Sequence, residues 1–337
     1  MNRLADSSKQ FGMRTGFRRP QLFIVRLSLA NVASADRFGS NRAVHASMLF
    51  LVVVWGLAFV AIKEALDHMS WITLTLLRFV IADVLFLGYL AATRQLRPLP
   101  RRADLPHLTL LAFVGFTGYH LFLNLGESDP AVTAGTAALI IASTPAFIAV
   151  LSIPLLKEKI RRLQAVGIVL AFSGLGLMIF FARPESQFRF QATEGALAVI
   201  PSAVFSALYA VFGKRYLGRY PPFTLVAWTL LIGTLLSLPL VAITATGFVA
   251  DLVRMGTAGW IPVLFLGLFP TFLGYTIWFR ALARLPSASA AAYIYASTLV
   301  AVLGGIILLR EPITPAAIVG GALVIAGVIA AQHFRRR

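Results

Sequence analysis

A single arginine interrupts the apolar stretch TLTLLRFVIADVLFLGYL, and an aspartate follows five residues later: Arg78 and Asp83. A guanidinium about 10 Å below a membrane surface costs several kcal/mol unless it faces protein or water. Lining a cavity, Arg78 would attract a carboxylate or another anionic group; the alternative is structural pairing with Asp83 or Glu64. Asp83 is the carboxylate expected nearest a midplane, where it suits a proton-coupling site or a buried pair with a neighbouring helix. Five residues turn a helix through about 500°, so the two charges do not share a face.

Three further groups could contact a solute. Trp55, Phe59 and Lys63 recur at a spacing of four, which places them along one helical stripe. That stripe is either an aromatic cavity wall closed by a cation or ordinary packing with a snorkelling lysine. Tyr119, His120 and Asn124 cluster in another apolar run, and Tyr275 and Trp278 in a third. Substrate contact, internal hydrogen bonding and interfacial anchoring all fit these side chains, and Tyr209 is a weaker candidate of the same kind. Pro145 and Pro270, with Pro201 and Pro239, fall inside apolar runs, where each frees a carbonyl and makes a hinge or a static bend.

The elements that must position these residues are membrane helices. Hydrophobic residues make up 58% of the 337 and charged residues 13%, about half the charge of an ordinary soluble domain. The apolar residues fall in runs of roughly 20, the length that crosses a bilayer core. Ten spans are expected, at about 46–66, 71–92, 106–125, 132–156, 163–182, 194–213, 222–245, 258–281, 287–309 and 314–334. The fold class is therefore an all-α polytopic membrane protein. No secretory signal is expected in residues 1–45, which form a basic and disordered cytoplasmic tail. With the N-terminus inside, the inner segments hold 24 of the 30 Lys and Arg residues and the outer loops four. The positive-inside rule then places both termini in the cytoplasm of a multi-pass inner-membrane protein. The formal charge of +17 follows from this topology and an anionic lipid surface, not from nucleic acid.

Catalytic signatures are missing from the chain. It has no cysteine, no Walker loop, no HExxH and no acidic metal cluster, and its loops are too short for a catalytic domain. Neither a cofactor nor a metal is expected. The expected partners are a small-molecule substrate, the bilayer and protons, with monomer and homodimer both open.

One passage is written twice. The run from Ala142 to Gly174 and that from Ala296 to Gly327 both open Ala-Ser-Thr, reach Leu-Leu-basic-Glu, and then place two glycines at the same intervals: Glu158, Gly167 and Gly174 against Glu311, Gly320 and Gly327. A second echo sets FTGYHLF at 116–122 against FLGYTIW at 272–278, aligning Tyr119 with Tyr275. The units are expected at 46–182 and 194–334, five spans each, so the second enters the bilayer from the opposite side. Their loop charge agrees: Lys157, Lys159, Arg161 and Arg162 crowd the first turn, whereas the second has only Arg310-Glu311-Pro312. Two inverted five-helix repeats can exchange shapes and move a solute held between them, which is alternating access.

Several of these features together resemble the drug/metabolite transporter superfamily, in its EamA-like branch of ten-helix carriers. They are Trp55-Gly56, Arg78, the run from Ser143-Thr144-Pro145 to Leu155-Leu156-Lys157-Glu158, Gly167, Gly174 and the degenerate second copy. The resemblance covers about residues 46–334 and implies export of amino acids or related metabolites. Carriage of drugs, sugars or lipid-linked headgroups is the alternative, and a receptor or enzyme subunit the alternative of another class. Leu299 departs from the pattern where the first copy has Pro145, so the ninth helix should be straighter than the fourth; the 45-residue leader is also longer than the pattern. In this cysteine-free background, single cysteines at Lys159 and Arg310 should react with an impermeant maleimide from opposite membrane faces. Labelling of both from one face would remove the inversion.

Overall fold

The computed structural model describes residues 41–94, 99–156, 162–180, 194–216, 219–284 and 287–333. Among these every regular element is helical. The contacts below lie within the compact unit Ala43–Arg337. In the first half, α1 (Asn41–Leu66) and α2 (Trp71–Ala92) are followed by α3 (Leu105–Ala112), a π-helical turn (Phe113–Thr117) and α4 (Gly118–Glu127). Then come α5 (Ala134–Ile141), α6 (Thr144–Leu156) and α7 (Arg162–Phe180). The second half holds α8 (Glu194–Tyr216), α9 (Pro222–Ile243), α10 (Ala245–Arg254) and α11 (Gly256–Leu266). A second π segment (Gly267–Gly274), α12 (Tyr275–Leu282), α13 (Ser287–Leu308) and α14 (Pro315–His333) complete it.

Among the described residues seven helical stretches are long and apolar enough to cross a bilayer, and three shorter apolar helices, 164–178, 293–308 and 315–330, stand where the fifth, ninth and tenth spans are expected. The protein is an all-α polytopic membrane protein. Side chains such as Ile243, Val84 and Ile307 lie open on the outside of the bundle, a face that only lipid covers without penalty. The tail residues 1–40 and the basic turn with Lys157, Glu158, Lys159 and Arg161 lie outside the described residues.

Local sequence accounts for the breaks. Ser70 and Thr133 cap α2 and α5, each accepting the backbone N–H three residues on, which satisfies a donor that a helix start leaves free. The fourth span divides at Ala142–Ser143, where the Ser143 hydroxyl turns back to the Ile140 carbonyl at 2.5 Å. Pro145 sits in the first turn of α6, a position that has no N–H bond to lose. It restarts a helix rather than kinking one. The later copy, with Leu299, runs unbroken as α13. Both third spans carry a π segment: the first stops directly before Gly118-Tyr119, and the second ends at Gly274, directly before Tyr275.

Contacts sort the loops into two ends. Lys63 reaches the Glu127 and Asp129 carbonyls, Ser70 meets Asp251, Ala134 meets Glu311, and Gly195 meets Asp129. At the other end His45 meets Tyr293, and Asp104 binds Arg219 and Tyr220. Helices α7 and α14, fifth in their repeats, pack antiparallel: a Cβ on Gly174 would strike the Gly320 carbonyl, and one on Gly327 the Gly167 carbonyl at 2.6 Å. The repeat alignment maps each of these pairs onto the other. That exchange is the mark of a two-fold axis relating two inverted units.

At the first end, Asp251 Oδ2 accepts the Ser70 N–H at 3.0 Å, the Ser70 hydroxyl at 2.7 Å and the Thr73 hydroxyl at 2.6 Å. Burial pushes this carboxyl up, but the donors from Thr73 and Ser70 together outweigh it and hold the group below its ordinary range. A depressed carboxyl contributes stability that is present above its unfolded value, about 3.9, and is lost as pH falls through the folded one. Asp251→Asn should therefore lower the melting temperature at neutral pH and flatten its acid decline, followed by thermal unfolding in detergent between about pH 7 and pH 3.

Candidate functional site

The second π segment builds the centre of the molecule. Pro270 has no N–H to give its helix, the ladder slips to the wider turn, and the Thr271 hydroxyl donates five residues back to the Leu266 carbonyl at 2.7 Å. Two groups from the first repeat grip this turn. The Trp55 indole N–H donates to the Pro270 carbonyl at 3.2 Å. Arg78 Nε and Nη2 donate to the Thr271 hydroxyl at 3.3 and 3.1 Å. Glycines permit the approach, since a Cβ on Gly267 would meet Ile81 at 2.6 Å and one on Gly274 the Trp55 indole nitrogen at 2.6 Å.

A cluster of rings stands beside this turn. Trp55 lies 6.0 Å from Tyr275 and 5.3 Å from Trp278, between ring centroids. Phe116 lies 4.9 Å from Tyr275, and Phe79 5.2 Å from His120. Tyr119 packs edge-on against His120 at 4.7 Å, and the Tyr275 hydroxyl faces His120 Nε2 at 3.4 Å. Trp55, Arg78, Tyr119, His120, Tyr275 and Trp278 thus share one cluster. One turn away, Asn124 Nδ2 donates to the Thr75 hydroxyl at 2.8 Å.

Three other expected residues stand apart. Phe59 is buried in the larger apolar core, among residues such as Leu74 and Ala137. Asp83 lies about 7.5 Å further along α2, where it accepts from Thr234 at 2.5 Å and leaves Oδ1 unpartnered. Arg78 bonds neither Asp83 nor Glu64, which is exposed. Pro145 belongs to the α5–α6 break, whereas Pro270 is within the centre.

Sequence reasoning did not single out Thr271, Thr75 or Glu127 for the site. Glu127 is 1% exposed, and neither carboxylate oxygen has a hydrogen-bond partner. Arg78 Nη1 and Asn124 Oδ1 are buried and unpartnered too. Lys63, Glu311 and Arg78 are near enough to feel the charge of Glu127, yet the only ion pair within 4.0 Å among the described residues is Arg219–Asp104 at the far end. Glu127 stands three residues after Asn124, so the i, i+3 relation that puts both on one helical face was there to be read. Among the described residues no cluster of acids and histidines could hold a metal.

The EamA-like transporter family matches the chain twice, over residues 44–180 and 193–331. The chain belongs to that family. An "Uncharacterized transporter" of Archaeoglobus fulgidus is 34% identical over 277 residues, 82% of this chain and 94% of its own. A "Probable terminal-alkyne amino-acid exporter" of Streptantibioticus cattleyicolor is 35% identical over 289 residues, 86% and 93% of the two chains. A "Probable amino-acid metabolite efflux pump" of Escherichia coli is 26% identical over 297 residues, 83% and 91% of the two. One crystal structure superposes with a TM-score of 0.59 at 20% identity, over 88% of this chain and 99% of that one, which shows the shared fold.

In this EamA-like bundle a set of contacts covers the end marked by Lys63. Lys63 Nζ donates to the Glu127 and Asp129 carbonyls at 2.8 and 3.0 Å, holding α1 against the α4–α5 turn. Both Glu311 carboxylate oxygens accept the Ala134 N–H at 3.0 Å, so a loop of the second repeat caps a helix of the first. Burial outweighs the Ala134 bond and the Lys63 charge and leaves Glu311 above its ordinary carboxylate range. Glu311→Ala should cost roughly 0.5–2 kcal/mol at this cap and raise the maleimide reactivity of a single cysteine at Thr133. Unchanged reactivity would show that Glu311 does not hold this end shut.

Proposed function

We propose that the protein exports amino acids or closely related metabolites across the cytoplasmic membrane by alternating access between its two repeats. The observation that carries this is Arg78: a guanidinium from the first repeat, 2% exposed, clasped by the π turn of the second and left with Nη1 unpartnered among aromatic rings. A carboxylate would complete it with a charge-assisted, two-pronged bond, and the rings suit an apolar side chain. A neutral sugar would leave the charge unanswered, which favours an acid-bearing solute over the alternatives. The names of the exporter and efflux-pump relatives agree with this choice.

The site lies between bundles gripped at both ends, by Lys63 and Glu311 at one and by Asp104, Arg219 and Tyr220 at the other. Releasing one grip while keeping the other would open it to one side at a time. The α5–α6 restart at Pro145 and the π turn at Pro270 are the hinges of this scheme, and Asp83, with one oxygen unpartnered, is its proton-coupling carboxylate. In this reading both termini lie in the cytoplasm, the side to which the positive-inside rule assigns the basic segments.

Counterflow of labelled amino acids into proteoliposomes loaded with the same compounds tests this directly. Wild-type protein should give saturable exchange, and Arg78→Ala should lower it by about tenfold or more, the effect of losing one charge-assisted bond. Exchange confined to sugars or cationic drugs, or absent for every amino acid, would overturn the proposal.

A further inference from the structure

Glu127 is a buried carboxylate with no hydrogen-bond partner, and the export scheme leaves its side chain unused. Its surroundings suggest an occupant. Helices α2 and α4 run in opposite directions, and the Asn124–Thr75 bond fixes their level at 2.8 Å. Arg78 stands three residues beyond Thr75 in one direction and Glu127 three beyond Asn124 in the other. At helical rise their backbones are about 9 Å apart along the bundle. Side chains on a helix lean toward its N-terminus, so Arg78 and Glu127 lean toward each other across that level. They remain more than 4.0 Å apart. Arg78 Nη1, His120 Nδ1, Asn124 Oδ1 and both Glu127 oxygens are buried, unpartnered polar atoms of this stretch.

We propose that Glu127, with the Asn124 side-chain carbonyl, forms an ammonium subsite, so that Glu127 and Arg78 clamp the two ends of a zwitterionic α-amino acid. The clamp rests on amino-acid export and specifies its substrate class. A bridging ligand would fill the gap between the side-chain tips, with Arg78 Nη1 at one end and the Glu127 oxygens at the other, groups that do not reach each other directly. The chemistry is complementary at each end. A guanidinium N–H is a donor without an acceptor, and a carboxylate and an amide oxygen are acceptors without a donor. An α-amino acid supplies what each lacks, while a plain carboxylic acid or a plain amine supplies half. The clamp selects the zwitterion because a half-ligand leaves one buried charge unanswered.

The test is competition in the counterflow assay, using L-phenylalanine, L-leucine and L-methionine, each beside its desamino acid and its decarboxylated amine. With wild-type protein, both half-ligands should compete about tenfold or more weakly than the amino acid. Glu127→Gln keeps the shape and removes the charge. It should weaken the amino acid about tenfold while leaving the desamino acid unchanged or improved, which also shows that the variant is folded. Arg78→Gln should invert the preference toward the amine. Two results would overturn the clamp: a desamino acid that competes with wild-type as well as its amino acid, or a Glu127→Gln protein with unaltered amino-acid half-saturation. The first counts even if the variants do not fold. In either case, amino-acid exchange by wild-type protein would leave the export proposal standing; its complete absence would end both.

Discussion

A guanidinium buried in a membrane bundle must be answered by protein, because the hydrocarbon offers nothing in its place. The answer here is a threonine hydroxyl that is in position only because a proline has opened its helix. Pro270 widens the turn, the turn presents the Pro270 carbonyl to Trp55 and the Thr271 hydroxyl to Arg78, and two glycines let the helices come close enough. Remove any link and the arginine is stranded. Hydrogen bonds to charged groups contribute about 1.5–3 kcal/mol, and a buried donor left without one costs a similar amount. With Nη1 unpartnered, the centre is satisfied only in part.

The same device recurs by symmetry. Each repeat carries a π segment that ends at its Gly-Tyr pair, and in each the tyrosine lands in the central ring cluster. The glycine contacts between α7 and α14 exchange under the repeat, so the two-fold axis passes between those helices. The symmetry is broken where the chain differs: Pro145 restarts the first copy, and Leu299 lets α13 run through. The first repeat thus has a discontinuity in its fourth span that the second lacks. An exchange of shapes between the halves would not be a perfect mirror.

Much of this was legible in the sequence, since run length, charge placement and the doubled passage all report on helices and direction. Arg78, Trp55, Tyr119, His120, Tyr275 and Trp278 also came together, because their spacing within each helix and the repeat alignment point to one level. Phe59 did not join them. A spacing of four advances 400°, so the stripe turns by about 40° a step and about 80° over two. Trp55 therefore faces the π turn and Lys63 the α4–α5 turn, while Phe59 falls on the core between them. Glu127 escaped notice for another reason. Local composition marks the stretch LGESDPA as a break between spans, but how dry a helix end becomes depends on what folds over it. Here Lys63 and the Glu311 loop do so, the latter bound at Ala134, 177 residues before it along the chain.

That covering loop connects the site to its closure. Lys63 holds Glu127 by its backbone carbonyl, while the Glu127 carboxylate lies within electrostatic reach of Arg78. One residue is therefore an anchor of the end latch through its main chain and a neighbour of the site through its side chain. If α1 swings away, the carbonyl loses its lysine and the carboxylate leaves the level set by Asn124 and Thr75. A solute bridging Arg78 and Glu127 would favour the arrangement in which Lys63 is engaged, since a ligand shifts an equilibrium by its differential contact with the two states. Under the proposed clamp, occupancy and closure of this end would be coupled through a single helix terminus, with no longer path required.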